Sequence, residues 1–330
     1  MHPHLLTLPF LGMGFVAILV VTALVVRGRL IDRFGHAVGV GLAMGGGTVV
    51  ASIAALAGWV PWTGTWAITS YGVCLLAAVG LAAWSLRRLG RDPRLRPEGR
   101  PLPVADLVLV ALIAGLAGAR ARFVWENPGR FRDAEGSWRW ASMLDLDQGG
   151  MVWYGGLLAG ILAVAVFAWR RRLPHLDLAD AVAAPIALGL GLGRIGCFLN
   201  GCCHGKVCDL PWAVHFPRHP LDGRHPAQLY EALAMLGLGG LLWWLRRRQL
   251  AAGEPRRPAA GTLGGLFLIA YGAWRCFNET LRDDYRHEGT LNDLGGIILT
   301  NSQITSLWLL IGGCVLVTWA SQRRHKDQPA

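Results

Sequence analysis

Nine mostly apolar runs recur along this chain, near residues 8–27, 37–59, 66–86, 104–125, 151–169, 178–199, 227–245, 262–279 and 303–320. A helix needs about 20 such residues to cross about 30 Å of hydrocarbon, and within it every backbone N–H and C=O must find its partner inside the protein. Nine runs of that length select one fold class: all-α, a polytopic integral membrane protein of about nine transmembrane helices. The 53% hydrophobic and 16% charged composition agrees, since an ordinary soluble domain carries more charge. A net charge of +11 would suggest nucleic acid in a soluble protein. Here the basic residues lie between the apolar runs, where they set orientation, and no nucleic-acid partner is expected. The first run is span-length and lacks the basic leader and small-residue cleavage site of a signal peptide, so it is expected to remain as a helix.

Alternate loops differ in Lys and Arg. One set holds Arg27, Arg29 and Arg33, the run from Arg87 to Arg100, Arg170 to Arg172, Arg246 to Arg248 with Arg256 and Arg257, and Arg323, Arg324 and Lys326. The other set holds far fewer. By the positive-inside rule the amino terminus is outside and the carboxy terminus cytoplasmic. The long polar loops 126–150, 200–224 and 280–302 then face outward, and chemistry is expected near the outer leaflet. Residues 1–60 read as an accessory pair of helices, whose GVGLAMGGG (38–46) suits close helix packing. Residues 61–325 read as a seven-helix functional domain, and 326–330 as a solvated cytoplasmic tail.

Four groups of residues carry potential chemistry. Arg120, Arg122, Arg194 and Arg275 fall at membrane depth, where a guanidinium costs a few kcal/mol or more unless paired. Snorkelling or an ion pair such as Arg275 with Glu279 would satisfy them, and so would an anionic phosphate held by paired hydrogen bonds. GGMVWYGG (149–156) flanks Tyr154 with glycines that allow close approach of a backbone or ligand, although Trp153 and Tyr154 also suit an interfacial aromatic belt. Cys197, Cys202, Cys203, His204 and Cys208 are spaced CxxxxCCHxxxC. That set could hold zinc, but it has no CxxC pair, and adjacent cysteines rarely ligate one ion without strain. A disulfide, with Cys208 as one partner, is favoured over a metal. In RHPAQLYEAL (224–233), Gln228 and Glu231 share a helix face, as site residues or as polar glue between helices.

The order of motifs resembles the prolipoprotein diacylglyceryl transferase family. SYGVCLLAAVGLAAWSLRR (70–88), DLVLVALIAGLAGARARFVW (106–125), GGMVWYGGLLAG (149–160), GRIGCFLNGCCHG (193–205) with DLPWAVHFP, HPAQLYEAL (225–233), YGAWRCFNETLR (271–282) and LTNSQITSL (299–307) follow the family's order. The resemblance implies a multi-pass enzyme of the bacterial inner membrane. It would move a diacylglyceryl group from phosphatidylglycerol to the lipobox cysteine of a preprolipoprotein, forming a thioether and releasing glycerol phosphate. It implies no cofactor and no metal.

Residue by residue, Tyr71 matches the tyrosine of the first common helix, Arg194 the signature arginine and Gly205 its closing glycine. His225, Gln228, Tyr230 and Glu231 match the entry to the fifth common helix, and Arg275, Glu279 and Arg282 match the eighth helix and its exit. Catalytic roles are expected for Tyr154, Arg194, Arg275 and Glu279. Substrate contacts are expected from Tyr71, Arg122, Asn200, Gly205, His225, Gln228, Tyr230 and Arg282. The family signature GRxxNFxNxExxG is altered: Cys197 replaces its first asparagine and Cys202 its glutamate, whereas Asn200 is kept. Tyr154 stands where an HGG histidine is usual. Arg194 and Arg275 would clamp the phosphate, and Tyr154, His204 or Glu279 would take the thiol proton. The alternatives are a phospholipid-binding homologue with altered catalysis, or an outward-facing thiol or metal protein built on Cys202, Cys203 and Cys208.

Overall fold

The computed structural model describes residues 4–9, 65–96, 99, 101–133, 136–144, 150–217, 219–252, 258–283, 291–294 and 297–327. The expected helix at 37–59, its glycine run, and all but the first two residues of that at 8–27 lie outside the described residues. Residues 8 and 9 close a strand, β1 (His4–Pro9).

Seven long helices stand among the described residues: α1 (Ser70–Leu89), α2 (Val104–Glu126), α4 (Trp153–Arg170), α5 (His175–Leu199), α6 (Ala227–Ala252), α7 (Thr262–Leu281) and α8 (Asn301–Asp327), with a short α3 (Trp140–Leu144). These are the seven runs expected after residue 60. By length and composition, Ser70–Leu89, Val104–Glu126, His175–Leu199 and Ser302–Arg323 suffice to cross a membrane, and Tyr154–Arg170 is a shorter apolar helix. The protein is a mostly helical, polytopic membrane protein.

Two helix boundaries move for physical reasons, and two expected loops contain strands. The run expected from residue 66 begins as strand β2 (Thr65–Thr69), whose Thr-Trp-Ala-Ile-Thr is rich in β-formers, and turns helical only at Ser70. Helix α6 continues past residue 245 through its arginines to Ala252. Arg246 is therefore no solvated loop residue: it is buried and bonds Asp92 Oδ2 at 2.8 Å and Gln249 Oε1 at 3.3 Å. Two antiparallel hairpins, β3 (Val214–Phe216) with β4 (His219–Arg224) and β5 (Leu291–Leu294) with β6 (Ile297–Thr300), fold segments that the apolar pattern leaves as loops.

The described helices divide between two compact units. One contains α1 and α5 to α8. Its core is Leu89, Ala183, Ala184, Ala187, Met235, Leu242, Leu263, Phe267 and Tyr271. Small residues set the packing, as they do where lipid gives helices no hydrophobic reason to associate. A Cβ at Gly313 would lie 2.7 Å from Gly265 O, and one at Gly272 would lie 2.7 Å from Ser306 O, so α7 and α8 meet backbone to backbone. Asp180 of α5 accepts hydrogen bonds from Gly261 N (3.0 Å) and Gly264 N (2.9 Å), which satisfies otherwise orphaned donors at the start of α7.

The other unit contains α2, α3 and α4. Its glycines answer the question left open at GGMVWYGG: a Cβ at Gly155 would meet Gly118 O at 2.4 Å, and one at Gly156 would meet Gly115 O at 2.8 Å. The close approach is to a backbone. Arg120 is buried here, donating from Nε to Met143 O (2.8 Å), from Nη1 to Gly150 O (3.0 Å) and from Nη2 to Ser142 O (3.0 Å). Its guanidinium also lies over the rings of Phe123 and Phe131. This arginine organises the loop between α2 and α4.

Candidate functional site

Residues from α5, α7 and the exit of α7 converge on one buried carboxylate of α6, Glu231. Arg194 Nε lies 3.0 Å from Glu231 Oε2, Arg282 Nη1 3.9 Å and Arg275 Nη1 4.0 Å. Asn278 Nδ2 donates to the same oxygen at 3.1 Å. A second carboxylate, Glu279, lies 2.6 Å from Arg275 Nη2 and accepts from Thr300 Oγ1 at 3.2 Å. Arg275 Nη2 also reaches Ser302 Oγ at 3.4 Å.

The expected pair of Arg275 and Glu279 is thus present, but inside a larger network. Among the described residues, three guanidiniums face two carboxylates. The Arg194 side chain keeps 21% of its surface exposed, against 9% and 4% for those of Arg275 and Arg282. Of the three it is the least buried.

The local sequence explains the geometry. Arg275, Asn278, Glu279 and Arg282 follow one another at intervals that keep them on one side of α7 and its exit. Glu231 and Gln228 occupy the first turns of α6. Gln228 does more than join helices: its Nε2 donates to Cys202 O at 2.7 Å and so fixes the loop after α5.

That loop is a Schellman turn. Asn200 caps α5 and is exposed, Gly201 follows with φ +68, and Gly201 N and Cys202 N donate to Phe198 O (3.0 Å) and Cys197 O (3.2 Å). In such a turn the residue two beyond the cap packs over the residue three before it, and here both are cysteines. Cys203 continues with φ +62, a left-handed conformation that costs a non-glycine residue of order 1–2 kcal/mol. The result brings the Sγ atoms of Cys197, Cys202 and Cys203 within 4.8 Å of one another. All seven cysteines are thiols, so the favoured disulfide is not present, and Cys208 is not one of the trio. Hydrogen bonds from Cys197 and Cys202, with the Arg282 and Arg194 charges, pull the Cys203 thiol below its ordinary pKa. Burial, aided by the Arg224 charge, lowers His204, so its imidazole is neutral at pH 7.

Gly205 acts on position. It sits between two backbones: Gly205 N donates to His225 O at 2.8 Å, and Lys206 N to Leu281 O at 2.9 Å, bridging Gly205 to Arg282. A Cβ there would lie 2.5 Å from His225 Cβ and 2.6 Å from Leu281 O. Gly205→Ala is expected to cost about 1–3 kcal/mol through overpacking, read as a lower melting temperature in detergent. Gly193→Ala, with open space around its Cβ, is the control that should melt like the parent.

The other expected site residues divide clearly. Tyr71 packs at Gly196, where an added Cβ would be 3.2 Å from its ring. The Tyr230 hydroxyl accepts from Trp212 Nε1 at 2.8 Å and lies 3.4 Å from His225 Nδ1, so these two frame the hairpin side of the cluster. Arg122 pairs with Glu126 at 2.8 Å, and both are substantially exposed. Arg122 and Tyr154 belong to the unit of α2 to α4, whereas the arginine and cysteine clusters belong to the other. Asn278 escaped the sequence reading. Its signal was available: it stands three residues after Arg275 on the same side of α7.

Comparison with known proteins agrees with this architecture. The family model for prolipoprotein diacylglyceryl transferase matches residues 60–319. The phosphatidylglycerol–prolipoprotein diacylglyceryl transferase of Azotobacter vinelandii is 34% identical over 260 residues, covering 78% of this chain and 91% of that protein. The protein of the same name from Pseudoalteromonas translucida is 33% identical over 259 residues, covering 76% and 87%. That from Mesorhizobium japonicum is 34% identical over 259 residues, covering 76% and 85%. With the arginine cluster carried on the matched helices, the chain belongs to the prolipoprotein diacylglyceryl transferase family.

Proposed function

We propose that this protein transfers the diacylglyceryl group of phosphatidylglycerol to the lipobox cysteine thiol of a preprolipoprotein, in the bacterial inner membrane. The observation that carries the reading is the convergence of three guanidiniums, those of Arg194, Arg275 and Arg282, on Glu231. A phosphodiester entering beside Arg194 replaces part of the Glu231 contact and gains paired hydrogen bonds from a planar guanidinium. As the glyceryl carbon–oxygen bond breaks, the departing glycerol phosphate gains a second negative charge. Donors already held in place by Glu231 and Glu279 stabilise that charge more than they stabilise the bound lipid, which is the condition for catalysis.

In this assignment Arg194 and Arg275 clamp the phosphate, Arg282 adds to the field and Glu279 holds Arg275 in place. Glu231 and Gln228 join the clamp to the cysteine loop, and His225 and Tyr230 line the side of the acceptor. The excess of basic residues in alternate loops supports an outside amino terminus, with the site near the outer leaflet.

The test follows the leaving group. Purified protein in mixed micelles with phosphatidylglycerol labelled in its headgroup glycerol should release glycerol phosphate only when a lipobox peptide with a free thiol is present. Release without a thiol acceptor, or with its serine analogue, would point to hydrolysis and overturn the reading.

A further inference from the structure

Thiol alkylation requires a thiolate, and among the described residues both carboxylates of the arginine cluster are already engaged. Glu231 is engaged by three guanidiniums and Asn278, and Glu279 by Arg275 and Thr300. Beside this cluster lie three thiols that the proposed clamp does not use. Their Sγ atoms all lie within 4.8 Å of one another. Sulfurs bound tetrahedrally to one zinc ion at about 2.3 Å would be about 3.8 Å apart, so only a modest contraction is needed.

The backbone is already committed to that grouping. The Schellman turn at Gly201 stacks Cys202 over Cys197, and the left-handed Cys203 supplies the local strain that adjacent cysteines need to meet at one centre. Each of the three cysteines is partly buried. Three thiolates around a divalent ion carry one net negative charge.

We propose that Cys197, Cys202 and Cys203 bind a zinc-class divalent cation with an open fourth position, and that this position takes the acceptor thiol of the transfer reaction. This rests on the function proposed above. The acceptor S–H loses its proton to solvent as sulfur binds the ion. The sulfur electron pair then forms the carbon–sulfur bond while the glyceryl carbon–oxygen bond breaks and its electron pair leaves with glycerol phosphate. No electrons are gained or lost overall. Three protein ligands with one exchangeable position is the arrangement of catalytic rather than structural zinc, and a coordinated thiol is deprotonated outright.

The experiment uses the full chain, reduced and purified in detergent, with Co(II) as the spectroscopic probe and Zn(II) for elemental analysis. The proposal expects about one metal ion per chain with tetrahedral, sulfur-to-metal charge-transfer absorption. Cys197→Ser, Cys202→Ser and Cys203→Ser should each weaken binding by more than about tenfold. Cys208→Ser and Cys276→Ser should bind as the parent does, and melting curves should identify any variant that has not folded. A cysteine lipobox peptide should change the Co(II) spectrum, and its serine analogue should not. Metal removal should slow thioether formation by about 10²-fold, as loss of a group that delivers the thiolate would, and zinc should restore it. Absence of tight binding by folded, reduced protein would overturn the site. So would binding indifferent to the three substitutions, or a spectrum indifferent to the acceptor thiol. Undiminished transfer by metal-free protein would overturn thiol activation and leave the transferase reading intact. A thiol-sensitive Co(II) spectrum without any transfer would support the metal site and overturn the transferase reading instead.

Discussion

Arg194→Ala is expected to reduce thioether formation by about 10²–10³-fold while the protein melts close to the parent temperature. The asymmetry follows from where the residue stands. Arg194 is the most exposed of the three guanidiniums around Glu231, and its loss leaves that carboxylate with Arg275, Arg282 and Asn278. Folding keeps its compensation, but the transition state loses the donor best placed for the phosphate. Arg194→Lys should recover only part of the rate, because an ammonium supplies charge without the planar pair of donors. The decisive comparison is kcat against KM. An interaction that strengthens as charge develops lowers kcat, whereas a purely ground-state lipid contact raises KM alone.

The opposite balance is expected at Arg246. Its side chain and that of Asp92 are almost wholly buried, 2.8 Å apart, with no exposed edge through which water could replace a lost partner. Arg246→Ala leaves a buried carboxylate and is expected to cost about 3–5 kcal/mol, seen as early thermal unfolding in detergent. Replacing both residues with apolar side chains, Asp92→Leu with Arg246→Met, should recover part of that loss, since neither charge is then stranded although the Asp92 cap on Arg94 N is also removed. If the single and double variants melt alike, the ion pair does not account for the stability at this end of α6.

Much of this architecture is legible without coordinates because membrane helices announce themselves by length. The seven runs after residue 60 are all helices, and their starts and ends move mainly where a different rule competes. At residues 65–69, β-branched and aromatic residues extend the chain before Ser70. At Arg246, positive charge pointed to a cytoplasmic loop, whereas a distant aspartate at position 92 draws the arginine into the interior. No local pattern encodes a partner 154 residues away. Apolar periodicity likewise gives no warning of the paired strands 214–216 and 219–224, which are held by backbone pairing.

The site shows the same division. Arg275 and Glu279 were legible as a one-turn pair. Their meeting with Arg194, Arg282 and Glu231 depends on how three helices and a helix exit pack. The cysteines misled in an instructive way. Their spacing lacks a familiar metal pattern, but C-x4-C across a helix end is the contact distance of a Schellman turn, and Gly201 was the visible sign of it. Gly205 has a packing role that its sequence context does not announce: its small size admits two backbones and so holds the bridge to Arg282.

The central claim is that the Arg194 cluster serves transfer of a diacylglyceryl group to a thiol. Its most direct test is mass analysis of a lipobox peptide incubated with phosphatidylglycerol and either the parent protein or Arg194→Ala. The account predicts one diacylglyceryl added to the cysteine sulfur by the parent and a drop of about 10²–10³-fold in the variant. No thioether from well-folded parent protein, or equal yields from both, would contradict it.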